Sequence, residues 1–155
     1  MPMHRRALTA SLCLLLLIGA VPAWAQTARQ GVIYAPLYQE AIVDHRGRRM
    51  DLAATVYVRN LSRKHAITVD SVTLVDGKGK MGTQCIQGKQ RLEPLASLRL
   101  LPPACPAGTG TPSILIRWSA AQPAPAPLVE VLMMGTAGQQ GISLTTQGVP
   151  LEPEP

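Results

Sequence analysis

The residues able to do chemistry in this chain are few, and their spacing does not assemble them. A serine or cysteine nucleophile needs a base held beside it. Beyond residue 25 the only histidines are His45 and His65, each in a turn-like stretch among Arg and Lys. No Gly-x-Ser-x-Gly elbow is present. Glycoside hydrolysis needs two carboxylates converging in a cleft, and the nine acidic residues are scattered over turns and outward strand positions. The glycines at 135, 138 and 141 resemble a phosphate cradle in spacing only. A P-loop would continue with Lys-Ser/Thr into a helix, and a dinucleotide fingerprint would sit in a βαβ unit; neither follows. Met50, Met81, Met133 and Met134, with the two histidines, are the residue types that bind soft copper. Neighbours on a strand face opposite ways, so Met133 and Met134 do not share one ion. Methionines also fill core gaps, and this chain has no Phe. The expectation is a non-enzyme with no cofactor and no metal, and a periplasmic small-ligand or copper-binding protein is the alternative.

Charge is distributed unevenly. Residues 26–91 carry eleven basic and five acidic side chains, and residues 92–155 carry two basic and four acidic. Arg46, Arg48 and Arg49 fall in one turn, and Arg63, Lys64 and His65 in another. The strand between them, Asp51 to Asn60, spans roughly 30 Å at ~3.4 Å per residue, so the two turns belong at opposite ends of the fold. The Arg46-Gly47-Arg48-Arg49 turn is the candidate contact for an anionic group, because guanidinium forks match phosphate and carboxylate. Its expected partner is an envelope protein or an anionic envelope component. Nucleic acid is not expected, since aromatic residues for stacking make up only 3% of the chain.

The elements that must carry these residues read as strands. Val129, Val131 and Met133 alternate with Glu130 and Leu132, and Ile142, Leu144 and Thr146 with Ser143 and Thr145. This period of two on either side of a glycine-rich link predicts a hairpin over Leu128–Gly148. Upstream, Val32–Gln39 reads as a first strand, with Pro36 suggesting an edge or bulge. Asp44-His45-Arg46-Gly47 and Asp76-Gly77-Lys78-Gly79 read as turns. Asp51–Asn60 turns Leu52, Ala54, Val56 and Val58 one way. In Ala66–Asp76 the apolar parity breaks, since Ile67 and Val69 share one face and Val72 and Leu74 the other. A bulge near Asp70-Ser71 would bring all four to the core. Lys80–Gln84 reads as a short strand. In Leu92–Leu101 the prolines rule out helix, leaving a strand with Leu98 and Leu100 inward. Ser113–Ser119 is a strand with Ile114, Ile116 and Trp118 inward. Gln122–Pro127 (QPAPAP) reads as a polyproline connector, and residues 151–155 as a disordered tail. Seven or eight short strands without a helix predict one all-β domain over residues 26–150, an antiparallel, immunoglobulin-like β-sandwich. Val56, Trp118, Val131 and Ile142 are its expected core.

The stretches IYAPLY, DLAATVYVRN, AITVDSVTLVDGKGK, RLEPLAS, RWSAAQPAPAP and LVEVLMMGTAGQQGISLTTQG together resemble the bacterial exported proteins of domain of unknown function family 3124. The likeness runs from about Ile33 to Pro150 and departs over Cys85–Pro112, where the family carries an acidic, glycine-rich stretch without cysteines. The resemblance implies export and a compact domain, and no mechanism.

Export is also legible at the start of the chain. A basic beginning (His4, Arg5, Arg6), an apolar run over Leu12–Ala20 and the small-x-small site Ala23-Trp24-Ala25 form a secretory signal peptide over residues 1–25. The apolar run is shorter than the ~20 residues a membrane span needs, and no later stretch is apolar enough, so no transmembrane segment is expected after cleavage. Removal of Arg5, Arg6 and Cys13 leaves thirteen basic and nine acidic side chains, and two cysteines. In an oxidising compartment Cys85 and Cys105 are expected to pair, closing a loop worth roughly 3 kcal/mol. The expected location is the periplasm or the medium. N-terminal sequencing of protein from those fractions should begin at Gln26; an intact Met1 on membrane-bound protein would contradict the signal-peptide reading.

Overall fold

The computed structural model describes residues 27–103, 111–137 and 140–152. These residues contain no helix and twelve strands. In chain order they are β1 Thr27–Pro36, β2 Glu40–Ile42, β3 Arg49–Asp51, β4 Ala53–Arg59, β5 Ile67–Val75, β6 Met81–Gln84, β7 Gln90–Leu92, β8 Ser97–Leu100, β9 Ser113–Pro125, β10 Leu128–Ala137, β11 Gln140–Gln147 and β12 Val149–Leu151. Eight have four residues or more, and β2, β3, β7 and β12 are three-residue strands that the sequence pattern does not resolve. One sheet has the order β12-β1-β9-β5-β6, with β7 also on β5; the second has the order β11-β10-β4-β8; β2 and β3 form a separate hairpin. All pairings are antiparallel.

The two sheets close over an aliphatic core. Strand β4 contributes Val56 and Val58, β9 Ile114, Ile116 and Trp118, and β10 Val129, Val131 and Met133. These are the inward positions of each alternation, as the period of two requires. Ile142 on the outermost strand of its sheet is half-buried against the same core. Strand β5 has the expected irregularity. Its register against β9 shifts between Val69 and Ser71, so Ile67, Val69, Val72 and Leu74 are all buried. Trp118 takes its space from the neighbouring strand, because a Cβ at its register partner Gly31 would lie 2.9 Å from the indole Nε1.

Several sequence expectations change. Leu92–Leu101 is not one strand: Leu92 ends β7 on β5 of the larger sheet, and Ser97–Leu100 forms β8 on β4 of the other. The first strand starts at Thr27, five residues before the expected Val32. It is β1, which ends at Pro36 and has a neighbour on each side, so Pro36 closes a central strand rather than marking an edge. The QPAPAP stretch is not a free connector, because β9 continues to Pro125, which pairs with Thr27. Beyond Ser119 the β5 side of β9 has no partner among the described residues, so Pro123 and Pro125 cost no ladder bond there. Leu151 is not in a disordered tail; it ends β12 and pairs with Val32. Residues 1–26, 104–110, 138–139 and 153–155, with the signal peptide, Cys105 and Gly138, lie outside the described residues.

Val131 is fully buried at the centre of β10, opposite Val56 on one side and Thr146 on the other. Val131→Asp would put a carboxylate there without a partner, costing several kcal/mol, about 3–5 by analogy with other buried charges. Denaturant titration should show loss of cooperative folding; a near-native midpoint would mean the strand faces are reversed.

Candidate functional site

Strand register sorts the charged loops between the two ends of the sandwich. At one end, Pro36 and Val75 both pair with Ser113, and Val75 pairs with Met81. The second sheet reaches the same end through Met133, whose sulfur accepts a hydrogen bond from the Tyr38 N–H at 3.1 Å. The β2–β3 hairpin is seated here against Gly135, where a Cβ would come within 2.5 Å of the Asp51 carbonyl oxygen. This end therefore carries the 43–48 turn and the 76–80 turn. At the other end Arg59 pairs with Leu128 and Ser97, and the buried Asn60 side-chain amide donates to the carbonyls of His65, Leu92 and Glu93. The Arg63-Lys64 loop belongs there, on the far side of the molecule from Arg46.

The 43–48 turn is tightly built. Asp44 Oδ1 accepts hydrogen bonds from the Arg46 and Arg48 backbone N–H groups, both at 3.0 Å, and the Gly47 N–H donates to the Asp44 carbonyl. Gly47 has φ +79°, a left-handed conformation that glycine adopts without penalty. The three arginines are not equivalent. Arg48 Nε lies 3.4 Å from Asp44 Oδ2, and Arg49 Nη1 bonds both Glu40 oxygens at 3.1 Å. Among the described residues Arg46 makes no ion pair.

A second turn repeats this construction. Asp76 Oδ1 accepts from the Lys78 and Lys80 backbone N–H groups at 2.8 and 2.9 Å, the Gly79 N–H donates to the Asp76 carbonyl, and Gly79 has φ +83°. Both loops are Asp-x-basic-Gly-basic: Asp44-His45-Arg46-Gly47-Arg48 and Asp76-Gly77-Lys78-Gly79-Lys80. In each, one carboxylate oxygen is committed to the backbone and the third and fifth positions are cations, of which only Arg48 turns back toward its own aspartate. Lys78 and Lys80 make no ion pair among the described residues. Sequence reasoning took the first loop as the site and passed over Lys78 and Lys80. The repeated five-residue pattern was the available signal.

Other charged clusters are internally matched. On the outer face of the four-stranded sheet, Arg59 bonds Glu130 at 2.9 Å and Ser97 at 3.3 Å and lies 5.4 Å from the Tyr57 ring centroid. Arg91 pairs with Glu93. Among the described residues no three His, Cys, Asp or Glu side chains gather as metal ligands. Met133 is buried and Met134 exposed on the opposite face, and His45 and His65 lie at opposite ends. Cys85 is half-buried beside the core, its N–H donating to the Val72 carbonyl at 2.7 Å. Its expected pairing involves Cys105, outside the described residues.

The fold and these loops define a class: an antiparallel sandwich of two main sheets, with no helix among the described residues, displaying charged turns at its ends. Within that class the chain belongs to the family described as Protein of unknown function (DUF3124), which matches residues 30–151. A comparison with curated proteins finds no match. Among solved structures, one described as "Crystal Structure of Thermotoga maritima 1070" is similar at 14% identity and a TM-score of 0.45, over 79% of this chain and 93% of that one.

The two backbone hydrogen bonds, first from Lys80 and then from Lys78, hold the Asp76 carboxyl below its ordinary value of 3.8. A carboxylate lowered on folding stabilises the turn above its unfolded pKa, and the contribution disappears as pH falls through the lower, folded value. The Lys78 and Lys80 amide resonances should therefore titrate together with a midpoint below 3.8; a midpoint at or above it would contradict the capping role.

Proposed function

We propose that this protein is an exported, non-catalytic binding or accessory module of the cell envelope, meeting an anionic envelope partner through the twin-turn end of its sandwich. The observation that carries this reading is the repeated Asp-x-basic-Gly-basic turn. Each copy fixes its backbone with its own carboxylate and leaves side-chain cations for an external anion. Arg46, Lys78 and Lys80 supply the unmatched charge, while Arg48 and Arg49 are partly offset by Asp44 and Glu40. The 76–80 turn joins β5 to β6 in the larger sheet, and the 43–48 turn caps the separate β2–β3 hairpin. Because the two turns stand on separate hairpins at one end of the sandwich, they act on one extended partner more readily than on one small ion. Export rests on the signal peptide, and the non-catalytic reading on the scattered acids and histidines.

Vesicles containing phosphatidylglycerol provide a defined anionic probe. The wild type should bind them at low salt and release them progressively as salt rises. Arg46→Glu/Lys78→Glu/Lys80→Glu should abolish binding while the melting temperature stays within a few degrees. Arg63→Glu/Lys64→Glu, at the opposite end, should bind like the wild type. Equal loss in both variants would reduce the interaction to net charge and overturn the site; salt-independent binding would overturn the anionic reading.

A further inference from the structure

Among the described residues strand β11 is an open edge without the usual protection. Antiparallel strands direct the N–H and C=O of alternate residues to opposite sides. The Gly148 N–H donates to the Val129 carbonyl, which fixes that alternation on the β10 side. The ladder groups of Ile142, Leu144 and Thr146 therefore face β10, and those of Gly141, Ser143, Thr145 and Gln147 face outward. Strand β11 ends its sheet, and among the described residues no strand pairs with its outer side. Natural sheets guard such edges with charge, proline, bulges or brevity. The other edges here follow that rule: β12 has three residues with Pro150 at its centre, β8 has four with Arg99, β7 has three with Arg91, and β6 follows Lys80. From Gly141 to Gln147 the sequence GISLTTQ has neither charge nor proline, and its register with β10 is unbroken over eight pairs. The strand is also held in place from within, since the Thr146 hydroxyl donates to the Pro36 carbonyl at 2.7 Å.

We propose that the β11 edge is a homodimer interface, pairing antiparallel with β11 of a second copy about a two-fold axis at Leu144. A strand meeting its own copy must tolerate every residue opposite its symmetry mate. A neutral strand does so without like-charge opposition. The register follows from the outward groups. With Leu144 opposite Leu144 of the second copy, Ser143 meets Thr145 and Gly141 meets Gln147, so all four outward-facing residues of each copy find ladder partners. A two-fold axis at Ser143 or Thr145 leaves some of them unpaired. In the Leu144 register the two Leu144 side chains form the close, non-hydrogen-bonded pair. Each is 41% exposed in the single chain, with half-buried Ile142 beside it, so pairing covers apolar surface as well as backbone. The two four-stranded sheets become one sheet of eight.

Light scattering coupled to gel filtration reads the outcome. The wild type should run at twice its chain mass. Ser143→Lys/Thr145→Lys sets like charges opposite across the axis and should halve that mass. Ser143→Glu/Thr145→Glu should do the same, and mixing the two variants should restore the dimer as a heterodimer. The substituted side chains are exposed, and matching circular dichroism melts would confirm folding; restoration on mixing reports the interface even if one variant is weakened. Thr145→Pro is a separate check, removing one outward N–H while sparing the β10 ladder, and should also give monomer. A monomeric wild type, a dimer that survives the lysine pair, or failure of folded variants to recombine would each overturn the proposal.

Discussion

The sandwich depends on one extra residue in β5. Side chains alternate across a strand, so a single inserted position exchanges which face every later residue occupies. Without the shift between Val69 and Ser71, Ile67 and Val69 would face the core while Val72 and Leu74 faced outward. With it, all four are buried, and β5 stays paired with β9 over its length. The bulge has a polar consequence. Asp70 Oδ1 is enclosed and accepts no well-formed hydrogen bond; its compensation is the Lys89 ammonium 2.9 Å away. The shift also divides the outer edge of β5 into two docking segments, with β7 on Ile67–Val69 and β6 on Thr73–Val75.

A core without Phe places its own demands on packing. Val, Ile, Leu and Met fill the space between the sheets, and Trp118 is the single large aromatic among its buried residues. Such a core tolerates little misfit, and glycines mark where backbone or bulky groups come close. Gly31 makes room for the Trp118 indole. Gly148 sits where the chain passes from β11 in one sheet to β12 in the other, and a Cβ there would collide with Ile33 and Val129. That crossing fixes β11 at the margin of the sandwich, where no strand among the described residues pairs with its outer side.

Local chemistry made much of this legible in the sequence. The β10–β11 hairpin, the inward sets of β4 and β9, the β5 bulge and both aspartate turns follow from alternation and turn residues, which act over a few positions. The misread segments depend on distant partners. QPAPAP carries the composition of a connector, and only Thr27 and Ala28 alongside it make its last residues a strand. Leu151 has a tail's surroundings in sequence, yet β1 captures it. At the site, Arg46, Arg48 and Arg49 look equivalent as letters. Glu40, nine residues before Arg49, and the second oxygen of Asp44 make them unequal. Lys78 and Lys80 gain significance only when β5 is known to end at the same end of the sheet as β1, with β9 between them.

The two surfaces proposed for partners differ in physical character, and the difference constrains how they combine. The end turns are charged and rigid, suited to a partner of opposite sign whose attraction salt weakens. The β11 edge is neutral, and its hydrogen bonds are directional and little affected by salt. Strand β11 runs from the twin-turn end at Gly141 toward the Asn60 end at Gln147. Antiparallel pairing about Leu144 therefore points the two twin-turn ends of a dimer away from each other. Such a dimer cannot press both basic ends onto one flat anionic surface, so it gains no avidity there. It can bridge two anionic surfaces, or two acidic partners, that face one another across it.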